Sequence, residues 1–190
     1  MRSPWLAAPL LLLVGACGPE EAAQAGQPTR PPLYFDVKGL LDAQTALLTR
    51  QNPAVEKQVQ LRGGAQETAR VAHVDWSKEL QVFYQADINK TALLGAYAAL
   101  PPEPTAAGLR QTYVRKPGIE HAVEQLAVVS DRAGVREVTA TLSQDNPLFF
   151  SQKKLVLSYE AGRLRSYRVR GLQKLVLFDT LRYSAAVRVL

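Results

Sequence analysis

From Leu109 to Leu190 apolar and polar residues alternate with a period of two, and this pattern constrains the fold more than any other feature of the 190-residue chain. Alternation of that kind is what a strand needs when one face is buried and the other wet. It predicts strands near 109–116, 121–130, 134–143, 153–160, 163–170, 172–178 and 182–189. The connections between them are short and carry turn chemistry: Lys116-Pro117-Gly118, Asp131-Arg132-Ala133-Gly134, Asp145-Asn146-Pro147 and Ala161-Gly162. Short loops join antiparallel neighbours, so the second half reads as a meander.

The first half supplies a hairpin and helices. Val55, Val59 and Leu61 alternate with polar residues, and Gly63-Gly64 can provide the positive φ of a tight turn before a returning run over 67–74. Upstream, Asp36 is placed to cap a helix on which Val37, Leu40, Leu41, Leu47 and Leu48 share a stripe, broken by polar Gln44. Pro53 stops it. A second helical region follows Asp75, with Trp76, Leu80, Phe83, Tyr84 and Ile88 at helical spacing, and Pro101-Pro102 end it. Asn89 can divide that region in two. The fold class is therefore α+β: a curved antiparallel meander of about nine strands packed on two or three helices from the N-terminal half. Its concave side could cover a helix or hold an apolar ligand, an architecture similar to lipoprotein carriers of the envelope.

The domain is expected to occupy residues 34–190, because what precedes it cannot build a core. Residues 1–16 run from Met1-Arg2 through an apolar stretch, Leu6 to Val14, to the small residues Gly15-Ala16, the layout of a cleaved signal peptide. The stretch is too short to span a bilayer, which takes roughly 20 apolar residues. Val14-Gly15-Ala16-Cys17 resembles a bacterial lipobox, in which the cysteine thiol is diacylated, with palmitate among the usual acyl groups. Cys17 is the lone cysteine, so no intrachain disulfide or multi-cysteine metal site is available. Residues 17–33 hold four prolines and no large apolar residue before Leu33, as a tether would. Glu20-Glu21, just past the anchor, resemble surface-sorting signals.

Charge divides unevenly: residues 110–190 contain 14 Lys and Arg against 7 Asp and Glu. Such a balance suits anionic lipid, polysaccharide or another acidic surface, and is too sparse to argue for nucleic acid. The strongest concentration is Lys153, Lys154, Arg163, Arg165, Arg168, Arg170 and Lys174, crossed by the single acid Glu160. In regular strands Arg163 and Arg165 would point away from Arg168 and Arg170, and only a bulge, near Ser166-Tyr167, would gather them. A transmembrane barrel is not the reading, since residues 55–62 and 134–141 lack a continuous apolar outer face.

Nothing in the sequence commits the chain to a reaction. There is no nucleophile elbow, phosphate loop or His-Glu-x-x-His pair. His73 and Asp75 would share a strand face, yet one histidine and one carboxylate fall short of the three or four ligands a metal site wants. His73 and His121 read as surface or capping residues, and no cofactor is expected.

Several segments are similar to a family of small, uncharacterised envelope lipoproteins of Gram-negative bacteria. They are Tyr34-Phe35-Asp36-Val37-Lys38-Gly39, Asp75-Trp76-Ser77-Lys78-Glu79-Leu80, Asp87-Ile88-Asn89-Lys90, Asn146-Pro147-Leu148-Phe149-Phe150 and Tyr167-Arg168-Val169-Arg170-Gly171-Leu172-Gln173-Lys174. The resemblance implies a lipid-anchored envelope protein and supplies no catalytic residue. The leading expectation is a non-enzymatic lipoprotein of the cell envelope, at the outer membrane and facing either periplasm or surface. It would bind a ligand or partner protein, the basic run being the candidate anionic-ligand patch. A lipid carrier comes second, and a hydrolase of cell-wall or surface glycan last.

Overall fold

The computed structural model describes residues 32–190. The expected leader, Cys17 and all but the end of the tether lie outside the described residues. No described helix is long and apolar enough to cross a membrane.

The chain order is α1 (Val37–Gln51), β1 (Val55–Leu61), β2 (Glu67–Val71), α2 (Trp76–Glu79), β3 (Tyr97–Ala99), β4 (Glu103–Thr105), β5 (Gly108–Arg115), β6 (Val123–Asp131), β7 (Gly134–Asn146), β8 (Phe149–Glu160), β9 (Arg163–Leu175) and β10 (Leu181–Val189). All ten strands belong to one antiparallel sheet of order β2-β1-β10-β9-β8-β7-β6-β5-β3, with β4 pairing β5. The ends of the sheet do not meet, so it is not closed. The N-terminal hairpin docks on the C-terminal strand through β1 and β10, Val55 opposite Val189 and Leu61 opposite Tyr183.

The α+β meander is as the alternation implies, with differences that have local causes. The expected strands at 163–170 and 172–178 are one strand, β9, running straight through Gly171. A Cβ there would collide with the Tyr183 ring, so the aromatic occupies the space a side chain would take. β7 and β8 extend to a turn at Pro147-Leu148. The β1–β2 turn lies one residue earlier than expected: Arg62 and Gly63 take φ of 52° and 70°, while Gly64 does not. Beyond Asp75 the α-helix lasts only to Glu79 and gives way to 3-10 turns at Gln81–Ala86 and Thr91–Leu93, after which Tyr97–Ala99 is strand. The buried residues Leu80, Phe83 and Ala86 recur every three positions, which fits three residues per turn better than 3.6.

These helical segments lie on one sheet face and build the core with it. α1 buries Val37, Leu41, Gln44 and Leu48, is capped by Asp36 accepting from the Gly39 amide at 2.8 Å, and ends at Asn52 in the left-handed region. Trp76, Leu80, Phe83 and Ile88 join Leu126, Leu155, Leu157 and Leu164 of the sheet in a single cluster. Phe83 and Tyr167 meet edge-to-face with ring centroids 5.5 Å apart. Tyr167 also donates to Glu79 at 2.6 Å, and Lys57 pairs with the other Glu79 oxygen at 2.5 Å. Among the described residues the cluster runs from Tyr34 to Val189 and is large enough for residues 32–190 to be expected to fold alone.

Candidate functional site

The sheet face away from the helices is wet, and strand register decides which cations meet on it. Leu164, Tyr167, Leu155 and Leu157 face the core, so residues of opposite parity face out. Ser158 pairs with Ser166 and Tyr159 with Leu164, leaving Arg165 without a cross-strand partner. That is a bulge, one residue before the position the sequence suggested. It resets parity, so Arg163, Arg168 and Arg170 all fall on the outer side.

The remaining nominees divide. Lys154 is on the outer face, directly opposite Arg170. Lys174, opposite Phe150, continues that face to the end of β9. Arg165 turns to Glu160 at 2.9 Å and is paired there. Lys153 has the parity of the core face, opposite Gly171 and Leu142, and donates to Gln85 at 3.1 Å. It is not part of the patch.

Two cations of β10 complete the outer face, and no reading of single segments could find them. Ser184 pairs with Arg170, which sets Arg182 and Ala186 diagonally beside it, and Arg188 lies opposite Ser166. Lys154, Arg170 and Arg182 border one depression of about 470 Å³ together with Thr141, Gln152 and Ser184. No carboxylate lines it, and none of the three cations is ion-paired among the described residues. Two basic groups directly opposite on neighbouring strands repel one another. They stand around two hydroxyls, an amide and the less polar Gly171, Leu172 and Tyr183, an arrangement in which the guanidinium planes could engage two oxygens of an anion at once.

A second depression, about 500 Å³, adjoins it toward the other end of the strands and is of mixed sign. Arg168 and Arg188 face Glu56 and Glu137 there. Arg188 pairs with Glu56 at 3.3 Å, and Glu137 accepts from Thr139 at 3.1 Å.

The histidines stand apart from this face. His73 contacts the Asn52 amide at 3.2 Å, while Asp75 caps α2, so the two do not act together. His121 is half-buried, with Nδ1 2.8 Å from the Tyr97 hydroxyl, which also donates to the Val123 carbonyl at 2.7 Å. Burial, with Lys90 and Arg115 nearby, pulls the imidazole below its ordinary value. Burial pushes the Tyr97 hydroxyl up to about 12. Among the described residues no three His, Cys, Asp or Glu side chains gather as metal ligands would. Asp42, Asp75 and Asp131 are each held below the usual carboxylate range by hydrogen bonds to Lys38, to Ser77 and to Arg136 respectively.

Comparison of the chain with family models, curated proteins and solved structures finds no match.

Proposed function

We propose that the protein is a lipid-anchored envelope protein that binds a phosphate- or carboxylate-bearing ligand on its outer sheet face, through Lys154, Arg170 and Arg182. The observation that carries the reading is the convergence of three cations, unpaired among the described residues, on a depression that no described carboxylate lines. Like charges held 4.5–5.5 Å apart at their Cβ atoms, roughly the spacing of opposed strand residues, destabilise a sheet unless something offsets them. A bound anion would do so, which is the usual relation between a binding site and the stability of its scaffold. The anchored setting comes from the leader and Cys17.

The lipid-carrier alternative has less support. A carrier needs an apolar hollow of several hundred Å³. Here the face beneath the helices is filled by Trp76, Phe83, Leu41 and their sheet partners, and the depression beside Lys154, though lined in part by Gly171, Leu172 and Tyr183, is bordered by three cations that an acyl chain would have to desolvate. The glycan hydrolase has the Glu56 and Glu137 carboxylates of the second depression to draw on, both already engaged.

Titration calorimetry of residues 32–190 with inorganic pyrophosphate tests the ligand class. Arg170→Ala should weaken binding about tenfold, the loss of one charge-assisted hydrogen-bond set. Equal affinity in both proteins would overturn the assignment. For the anchor, the full chain should take up palmitate label in a Gram-negative host and Cys17→Ser should not; equal labelling would overturn it.

A further inference from the structure

We infer that the end of the sheet formed by the β7–β8 and β9–β10 connections is a second membrane contact, inserting into the interface of an anionic bilayer. Leu148 at the first turn is 71% exposed, and Val176, Leu177 and Phe178 in the second are 58%, 89% and 70% exposed. Leu175 before them is exposed as well. A loop that spends its apolar residues in this way gains nothing from the fold.

The apolar residues are held in one protrusion. The Val176 amide donates to the Leu148 carbonyl at 3.3 Å, joining the two connections, and the Phe178 amide donates to the Leu175 carbonyl at 3.1 Å, closing the tip on itself. Three cations flank its base, with the acids Asp145 and Asp179 among them. Arg62 and Arg182 line a hollow of about 450 Å³ with Phe178 and Asp179, and Lys174 precedes the loop. The Arg62 amide also donates to the Arg182 carbonyl at 2.8 Å, fixing the two arginines side by side. An apolar point flanked by long basic side chains matches the layering of a bilayer surface, acyl chains below and phosphates above.

The start of the domain points to the same occupant. Tyr34 packs edge-to-face on Tyr97 and Tyr113, with centroids 5.7 and 5.6 Å apart. Tyr97 pairs with Arg115, the last residue of β5. In an antiparallel sheet of this order, that end of β5 is the end at which β7, β9 and β1 also finish. The chain thus enters the domain at the end that bears the tip. The stretch from Cys17 to Leu33 can reach at most roughly 55 Å, ample for anchor and tip to share one bilayer.

This inference deepens the anchored reading, and a test on residues 32–190, which lack Cys17, separates the two. Native Trp76 is buried, so Phe178→Trp gives a reporter confined to the tip. The domain should sediment with vesicles of equal parts phosphatidylcholine and phosphatidylglycerol, and less with phosphatidylcholine alone. Emission from the introduced indole should shift to the blue and be quenched by bromine placed in the acyl chains. The double change Leu177→Asp, Phe178→Asp should reduce vesicle partitioning about tenfold or more while leaving circular dichroism unchanged, since neither side chain is in the core. Absence of anionic-vesicle binding, quenching only by aqueous iodide, or full partitioning of the double variant would overturn the inference and assign the tip to a protein partner.

Discussion

Lys154 and Arg170 are direct cross-strand partners on β8 and β9, both solvent-exposed and neither ion-paired among the described residues. Nothing in the core requires a charge at either position. The sheet therefore carries a repulsion it could have avoided, in the one depression that Arg182 also borders. That relationship links the stability of the meander to the proposed activity.

Gln44 holds α1 to the β8–β9 hairpin, which bears the bulge. Its amide donates to the Gly162 carbonyl at 2.9 Å and accepts from the Leu164 amide at 3.0 Å, in a buried setting. Gln44→Leu would leave both backbone groups without partners, at a cost of about 2 kcal/mol or more. The expected fall in melting temperature is roughly 4–8 °C for a domain of this length. Thermal unfolding by circular dichroism checks it, and an unchanged midpoint would show that the amide is dispensable.

Ala161 and Gly162 form the turn of that hairpin with φ of 48° and 74°. A two-residue turn with positive φ at both positions favours Asn-Gly. Alanine in the left-handed region costs about 1–2 kcal/mol. Ala161→Asn should recover on the order of 1 kcal/mol, raising the urea midpoint with no change of slope. A lower midpoint would contradict this account of the turn.

His121 makes stability depend on pH. Its folded-state value is drawn below the ordinary 6.5 by burial first, then by Lys90 and Arg115. The unfolded chain therefore takes up the proton before the folded one, and stability is lost as pH falls from 6.5 toward the lowered folded value. Well above 6.5 the ring is neutral in both states and contributes no slope. In urea titrations His121→Gln should flatten the decline just below pH 6.5. The lowered carboxylates Asp42, Asp75 and Asp131 act only further down, below their ordinary 3.8. A mutant with the native slope would sink the assignment.

The strands were legible because alternation and turn residues agree, as at Ala161-Gly162 and Asp131 to Gly134. Where a residue type has two structural uses the reading slipped. Gly171 resembles a strand end until Tyr183 is seen lying over it. The Trp76, Leu80, Phe83 spacing suits the start of an α-helix, and only the step to Ala86 betrays the tighter 3-10 turn. Leu164 and Tyr167, apolar and three apart on one strand, are the trace of the bulge at Arg165, which the sequence suggested one residue later, near Ser166-Tyr167. Arg182 was invisible for another reason. It reaches Lys154 only through the register of three strands, and register is a tertiary property.

The most direct test is Lys154→Glu, measured for both melting temperature and pyrophosphate affinity. The substitution sets an acid opposite Arg170, replacing repulsion with attraction worth about 0.5–1 kcal/mol across the pair. The account predicts a protein that melts higher and binds at least about tenfold more weakly. A variant that melts lower, or that binds pyrophosphate as the parent does, would contradict it.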